Sequence, residues 1–202
     1  IHDATLDRTT DGGGPVAEHT WAQLQRLDAG YRFTHDGACF PYRGQNVRIP
    51  TLESVLRAFP EHRFNIEIKQ EHPPIVDAVL ELLNRTRKTD RVLLAAEHDA
   101  IMQAIRAGAR GPMVTSASAH EVAVFIERVV RDDWEGYAPR WQALQVPPAH
   151  QGIDLVTAAS VAATHRLGGE VHVWTINDTA EIERLLDLGV DAIMSDFPGL
   201  VS

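Results

Sequence analysis

From residue 63 onward, short β-branched runs alternate with amphipathic stretches, and this alternation limits the fold more than any other feature of the chain. The runs are RFNIEIK (63–69), RVLLAAE (91–97), GPMVTSA (111–117), WQALQV (141–146), EVHVWTI (170–176) and GVDAIMSD (189–196). Each is apolar and bounded by turn residues or charges, as a buried parallel strand is. The stretches between them carry helical periodicity. In IVDAVLELLNRTRK, Val76, Val79, Leu80 and Leu83 fall on one face. In DTAEIERLLDLG, Ile182, Leu185 and Leu186 do the same, with Asp178 as N-cap and Gly189 as the stop. A spacing of roughly 20–30 residues between runs is that of βα units.

Two architectures accommodate such repeats. A doubly wound open sheet carries a glycine-rich phosphate loop after an early strand. The glycines at 12–14 have no strand leading into them and no clear helix after them. A (β/α)8 TIM barrel takes about 250 residues and eight strands. The expectation is therefore an α/β chain of 202 residues forming one domain, 1–202. It reads as a (β/α)8 barrel lacking its first strand and most of its second, with Ile1 as the last residue of an incomplete strand. Residues 4–50 break the rhythm, being rich in Gly, Asp, Thr and Arg around one short amphipathic piece at Trp21, Leu24 and Leu27. They read as an insertion after strand 2, lying over the C-terminal end of the barrel. IPTLESVLRAF restarts the regular pattern, with Thr51 as N-cap and Ser54 in the first turn. Open strand edges lead to the expectation that these residues self-associate when made alone.

Charge narrows the partners. With 19 basic and 28 acidic residues the formal net charge is −9, which disfavours a nucleic-acid or anionic-membrane surface. An anionic substrate would need a local cation, such as a metal. Cys39 is the lone cysteine, so no intrachain disulfide forms. No apolar run approaches the ~20 residues of a membrane span. The expected location is cytoplasmic, with secretion or membrane anchoring left open; the oligomeric state is not legible.

Chemistry in barrels sits at the C-terminal ends of strands. On RFNIEIK, Glu67 and Lys69 are two apart and share a face. A carboxylate followed by a lysine suits a site for Mg²⁺ or Ca²⁺ and a phosphate, or a structural ion pair. His2, directly after Ile1, reads as a general acid or base, or as half of a loop-capping His-Asp pair. His98 is a weaker candidate after a strand, and His165 reads as structural. Trp174, with His172 and Ile176 expected on its own face, packs against a small polyol or belongs to the core. Asp196 ends the last strand, where it orients a lysine or histidine or caps the next turn.

Taken together, HDATLDRTTDGGG, LDAG, IPTLESVL, FNIEIK, ALQVP, VHVWTIND and GVDAIMSDFP occur in the order of the glycerophosphodiester phosphodiesterase family, which this sequence resembles over nearly its whole length. The resemblance implies a TIM barrel of the phospholipase-C-like phosphodiesterase type. It implies metal-dependent hydrolysis of a small-molecule glycerophosphodiester to sn-glycerol 3-phosphate and an alcohol. It further implies that His2 is catalytic, Glu67 binds a divalent metal (Mg²⁺ or Ca²⁺), Lys69 lies near the substrate phosphate and Trp174 near the glycerol. Asp3 and Arg8 would shape the opening loop, and Gly12 and Gly14 would supply unusual backbone angles. The family's His-Arg-Gly and Glu-x-Asp elements would precede residue 1, so Glu67 by itself is expected to hold the ion weakly. Ser195 stands where the family usually has Thr. Two rivals stay open: a lysophospholipase D-like or sphingomyelinase D-like lipid phosphodiesterase, and a non-catalytic barrel binding a phosphate ligand.

Overall fold

The structure is a computed structural model, described here for residues 1–200. Its chain divides into two compact units. One comprises Ile1–His62 with Lys69–Lys88, and the other Arg63–Ile68 with the chain from Thr89 onward.

The first unit is mostly irregular up to residue 50, as the composition predicts. Its opening contains an isolated antiparallel bridge between Thr5 and Pro15 and a single helical turn, α1 (Trp21–Leu24), N-capped by Thr20. Helix α2 (Leu52–Ala58) starts where Thr51 accepts from the Ser54 amide at 3.1 Å, as expected. It meets α3 (Val76–Thr86), which buries Val76, Leu80 and Leu83 on one face, while Val79 is half-buried. Glu53 pairs with Arg57 on its own helix (2.7 Å) and joins the two helices through Arg85 (3.0 Å).

Among the described residues, the second unit holds six parallel strands. β1 (Phe64–Glu67), β2 (Val92–Ala95) and β3 (Val114–Thr115) pair in that order. β4 (Ala143–Val146) pairs with β7 (Glu170–Val173), and β7 with β8 (Ala192–Ile193). A parallel bridge between Ser116 and Ala143, flanked by bonds from the Ala117 and Gln142 amides, links the two sheets. Neighbouring parallel strands thus follow chain order, separated by α4 (Asp99–Gly108), α5 (Ala119–Arg131), α6 (Ala158–Arg166) and α7 (Thr179–Leu188). Phe125, Trp141, Leu144, Val171, Val173 and Leu185 are among the residues of one apolar core. Asp178 caps α7 through the Glu181 amide, and Gly189 ends it at φ 91°.

Ile1 is exposed and in no strand among the described residues. Two expectations need correction. Leu186 is 49% exposed; Ile182 and Leu185 fill the inward stripe of α7, leaving Leu186 on its flank. A hairpin, β5 (Ala149–His150) with β6 (Ile153–Asp154), was not expected in PPAHQGID. Among the described residues, no helix is long and apolar enough to cross a membrane.

Candidate active site

His2, Asp3 and Arg8 form one hydrogen-bonded group in the opening loop. Arg8 grips both oxygens of Asp3, Nε on Oδ2 at 2.5 Å and Nη2 on Oδ1 at 2.8 Å. The second contact of Oδ1 is His2 Nδ1 at 2.9 Å. The Arg8 guanidinium first, and His2 second, hold the Asp3 carboxyl well below the usual carboxylate range. An ionised Asp3 can only accept, so Nδ1 carries the proton. Nε2 is then the nitrogen left for proton exchange on a side chain that is 71% exposed. The loop behind is closed by Asp7, which accepts from the Gly14 amide at 3.0 Å, and by Leu6 N to Gly14 O at 3.0 Å. Gly14 has φ 81°, the unusual angle expected of it. Gly12 does not; a Cβ there would lie 2.8 Å from Leu27 Cδ2, the tip of a flexible side chain.

Glu67 and Lys69 are both exposed. Burial alternates along this stretch, with Phe64 and Ile66 half-buried, Ile68 buried, and Asn65, Glu67 and Lys69 outward. Glu67 is the last residue of β1, a strand end of the kind where barrel chemistry sits. Across the same unit, Asn65 Nδ2 reaches Met194 Sδ at 3.6 Å, so the outward face of β1 is turned toward the segment following β8.

Trp174 is the first residue after β7 and is 42% exposed, which removes it from the core. Of the expected sharing of a face by His172, Trp174 and Ile176, only the first two conform: both alternate with buried Val171 and Val173, whereas Ile176 is buried beyond the end of the strand at Val173. His172 is tied between Gln145 (3.0 Å) and Glu170 (2.9 Å). Among the described residues, Asp196 Oδ2 accepts from Asn177 Nδ2 at 2.8 Å. Asn177, which composition and motif reasoning passed over, also accepts from Ser195 Oγ (3.0 Å) and Asp196 N (2.9 Å). Its signal in TIND was a polar residue wedged between buried Ile176 and the helix cap Asp178. His98 is exposed at the start of α4. His165 pairs with Asp191 at 2.8 Å and is structural, as read.

Among these residues, His2 and Lys69 belong to the first unit, Glu67 and Trp174 to the second. No group of three or more His, Cys, Asp or Glu placed to hold a metal occurs among the described residues. A hard cation takes about 6–8 oxygen ligands for Ca²⁺. Glu67 therefore fits such an ion as one ligand and not as a complete site.

Comparison with known proteins adds the family. The model of the Glycerophosphoryl diester phosphodiesterase family matches residues 1–200. A glycerophosphodiester phosphodiesterase of Bacillus altitudinis is 28% identical, over 98% of this chain and 76% of its own length. Among solved structures, the glycerophosphoryl diester phosphodiesterase domain of an uncharacterized Mycobacterium tuberculosis protein aligns with a TM-score of 0.81 at 24% identity, covering 97% of this chain and 78% of that one. An Oleispira antarctica phosphodiesterase, solved with the product sn-glycerol-3-phosphate, aligns at 0.73 with 22% identity, covering 100% and 76%. These structural matches carry the fold, a TIM-barrel-like α/β arrangement.

Proposed function

This chain belongs to the glycerophosphoryl diester phosphodiesterase family, and from that premise we propose that it hydrolyses glycerophosphodiesters to sn-glycerol 3-phosphate and an alcohol. The single observation that carries this is the family match across residues 1–200. The product named for the Oleispira structure is the one expected here. In this reading residues 1–202 are one phosphodiesterase domain. Residues 4–50 are its insertion, and the six parallel strands are the third to eighth of a (β/α)8 barrel.

The chain's own residues take these parts. His2 donates a proton to the departing alcohol from Nε2, while Asp3, kept ionised by Arg8, holds Nδ1 and with it the ring's orientation. Lys69 offers an ammonium to a phosphoryl oxygen. Trp174, exposed at the end of β7, offers an aromatic face to the glycerol carbons. Glu67 contributes a carboxylate ligand to Mg²⁺ or Ca²⁺, an ion that supplies neutralisation of phosphoryl charge when bound.

The test is release of sn-glycerol 3-phosphate from glycerophosphocholine by the full chain with Mg²⁺ or Ca²⁺. No release from any glycerophosphodiester with either ion overturns the proposal. Faster turnover of lysophosphatidylcholine than of glycerophosphocholine would reassign it to the lipid phosphodiesterases.

A further inference from the structure

One amide side chain joins the loop after β7 to the loop after β8, and nothing in the catalytic roles above uses it. Asn177 Oδ1 accepts from the Asp196 amide at 2.9 Å and from Ser195 Oγ at 3.0 Å. Its Nδ2 donates to Asp196 Oδ2 at 2.8 Å. The Asp196 N–H is an unambiguous donor, which fixes the side-chain oxygen toward it and the NH₂ toward the carboxylate. Ser195 Oγ in turn accepts from Phe197 N at 3.0 Å, so the hydroxyl is held as well. These three bonds close a ring of side chain and backbone spanning 18 and 19 positions of sequence.

The backbone on either side of the amide is pinned. Ile176 is 5% exposed and its amide donates to Met194 O at 2.9 Å. Asp178 is committed to the α7 cap. Upstream, Trp174 has one backbone anchor, its amide on Val146 O at 3.2 Å, and a side chain 42% exposed. The segment 174–177 thus leaves β7 at Trp174 and is fastened again at Ile176 and Asn177. An exposed ring on so short a segment takes its position from those fastenings.

We infer that Asn177 is a positioning residue: by clasping Ser195 and Asp196 it sets where the Trp174 ring stands, and so how well the glycerol moiety is held. This deepens the proposed function and rests on its reading of Trp174. The energetic sense follows from the chemistry of the bonds. One of the three is charge-assisted, to the Asp196 carboxylate, and such bonds are stronger and more directional than neutral ones. A ring displaced by about 1 Å at a binding site is enough to change substrate handling substantially.

The experiment reads the ring and the kinetics separately. The full chain is made with 5-fluorotryptophan, which gives one ¹⁹F resonance for each of its four tryptophans. The Trp174 signal is assigned by Trp174→Phe. Asn177→Ala should shift or broaden that signal while Trp134 and Trp141, packed around Phe125, keep theirs. It should raise KM for glycerophosphocholine about tenfold with a much smaller change in kcat. Ser195→Ala, which removes one of the three bonds and keeps the inference testable should Asn177→Ala fail to fold, should give a smaller change of the same sign. Ser195→Thr, which keeps the hydroxyl, should restore both readouts. An unmoved Trp174 resonance in Asn177→Ala or Ser195→Ala overturns the inference, as does a moved resonance with KM unchanged when Trp174→Ala itself raises KM. If Trp174→Ala leaves KM unchanged, it is the reading of Trp174 in the proposed function that fails.

Discussion

Residues 1–50 and the six-stranded unit are held together by different means. The first region buries few side chains, Leu6, Thr10 and Asp28 among them. Its shape comes from side chains that bond to backbone. Asp28 accepts from the Gly30 amide at 2.9 Å and the Gly44 amide at 2.7 Å, and Asp11 accepts from Asp28 N at 2.7 Å. Arg32, Arg43 and Arg48 donate to the carbonyls of Thr10, Tyr31 and both Arg26 and Leu27. Gly30 is required by close approach, since a Cβ there would lie 2.7 Å from Tyr42 O. The second unit is held by apolar packing, with Phe125 set edge-on to Trp141 at 5.4 Å. The lesson is that a long segment without strands or a large core need not be loose when carboxylates such as Asp28 and guanidiniums such as Arg48 bond to its backbone. It should instead fail one polar group at a time.

The largest expected effect sharpens this contrast by separating chemistry from stability. His2→Ala should lower kcat by about 10²–10⁴-fold with KM and melting temperature nearly unchanged, since its side chain is 71% exposed. A loss divided equally between kcat and KM would assign it to binding. Glu67→Gln keeps size and removes charge, and should weaken metal-dependent turnover without altering the fold; full activity at modest metal concentration would end its role as ligand.

Stability comes next. Phe125→Ala should cost about 3–5 kcal/mol in urea denaturation, and its hydrogen-exchange signature should spread through the second unit's core. Asp28→Ala should cost less, about 2–3 kcal/mol for stranded amides. Its loss of exchange protection should be confined to Gly30, Gly44 and their neighbours. A global loss from Asp28→Ala comparable to that of Phe125→Ala would break the contrast.

A smaller effect concerns acid. The Gly14 amide foremost, then Thr5, holds the Asp7 carboxyl below its ordinary 3.8. A carboxyl that titrates lower in the folded chain than in the unfolded one gives stability that is whole above about pH 4 and fades as pH falls through the folded value. Protection of the Gly14 amide should therefore persist on acidification to that range and decline below it; in Asp7→Asn the dependence should vanish. The smallest change expected is at Val130, 78% exposed: Val130→Ala should stay within about 0.5 kcal/mol.

What the sequence made legible follows the same division. Apolar periodicity marked every parallel strand and the caps Thr51, Asp178 and Gly189, because a buried strand or helix imposes its period on the residues that fill it. Polar scaffolding has no period. The bonds of Asp28 to Gly44 and of Asn177 to Asp196 join residues 16 and 19 apart, and composition marks neither. The hairpin was missed because its turn is Gln151-Gly152, with φ 50° and 79°. Glycine in the second place fitted a primed turn, but glutamine in the first lacks the usual Asn or Asp signal. Trp174 was placed on the wrong side of the strand boundary, since an apolar run continues to Ile176 while the ladder ends at Val173.

The order in which the chain visits its two units bears on synthesis. It supplies residues 1–62 to the first, 63–68 to the second, 69–88 to the first again, and the remainder to the second. Helix α2 therefore leaves the ribosome before α3, whose Arg85 pairs with Glu53, and before Lys88, whose Nζ donates to Pro60 O. At about 5–20 residues per second, that interval lasts a few seconds. During it the contacts of α2 with α3 cannot form, so Leu56, fully buried in the finished protein, is expected to be more accessible in chains stalled before α3 than in the complete one.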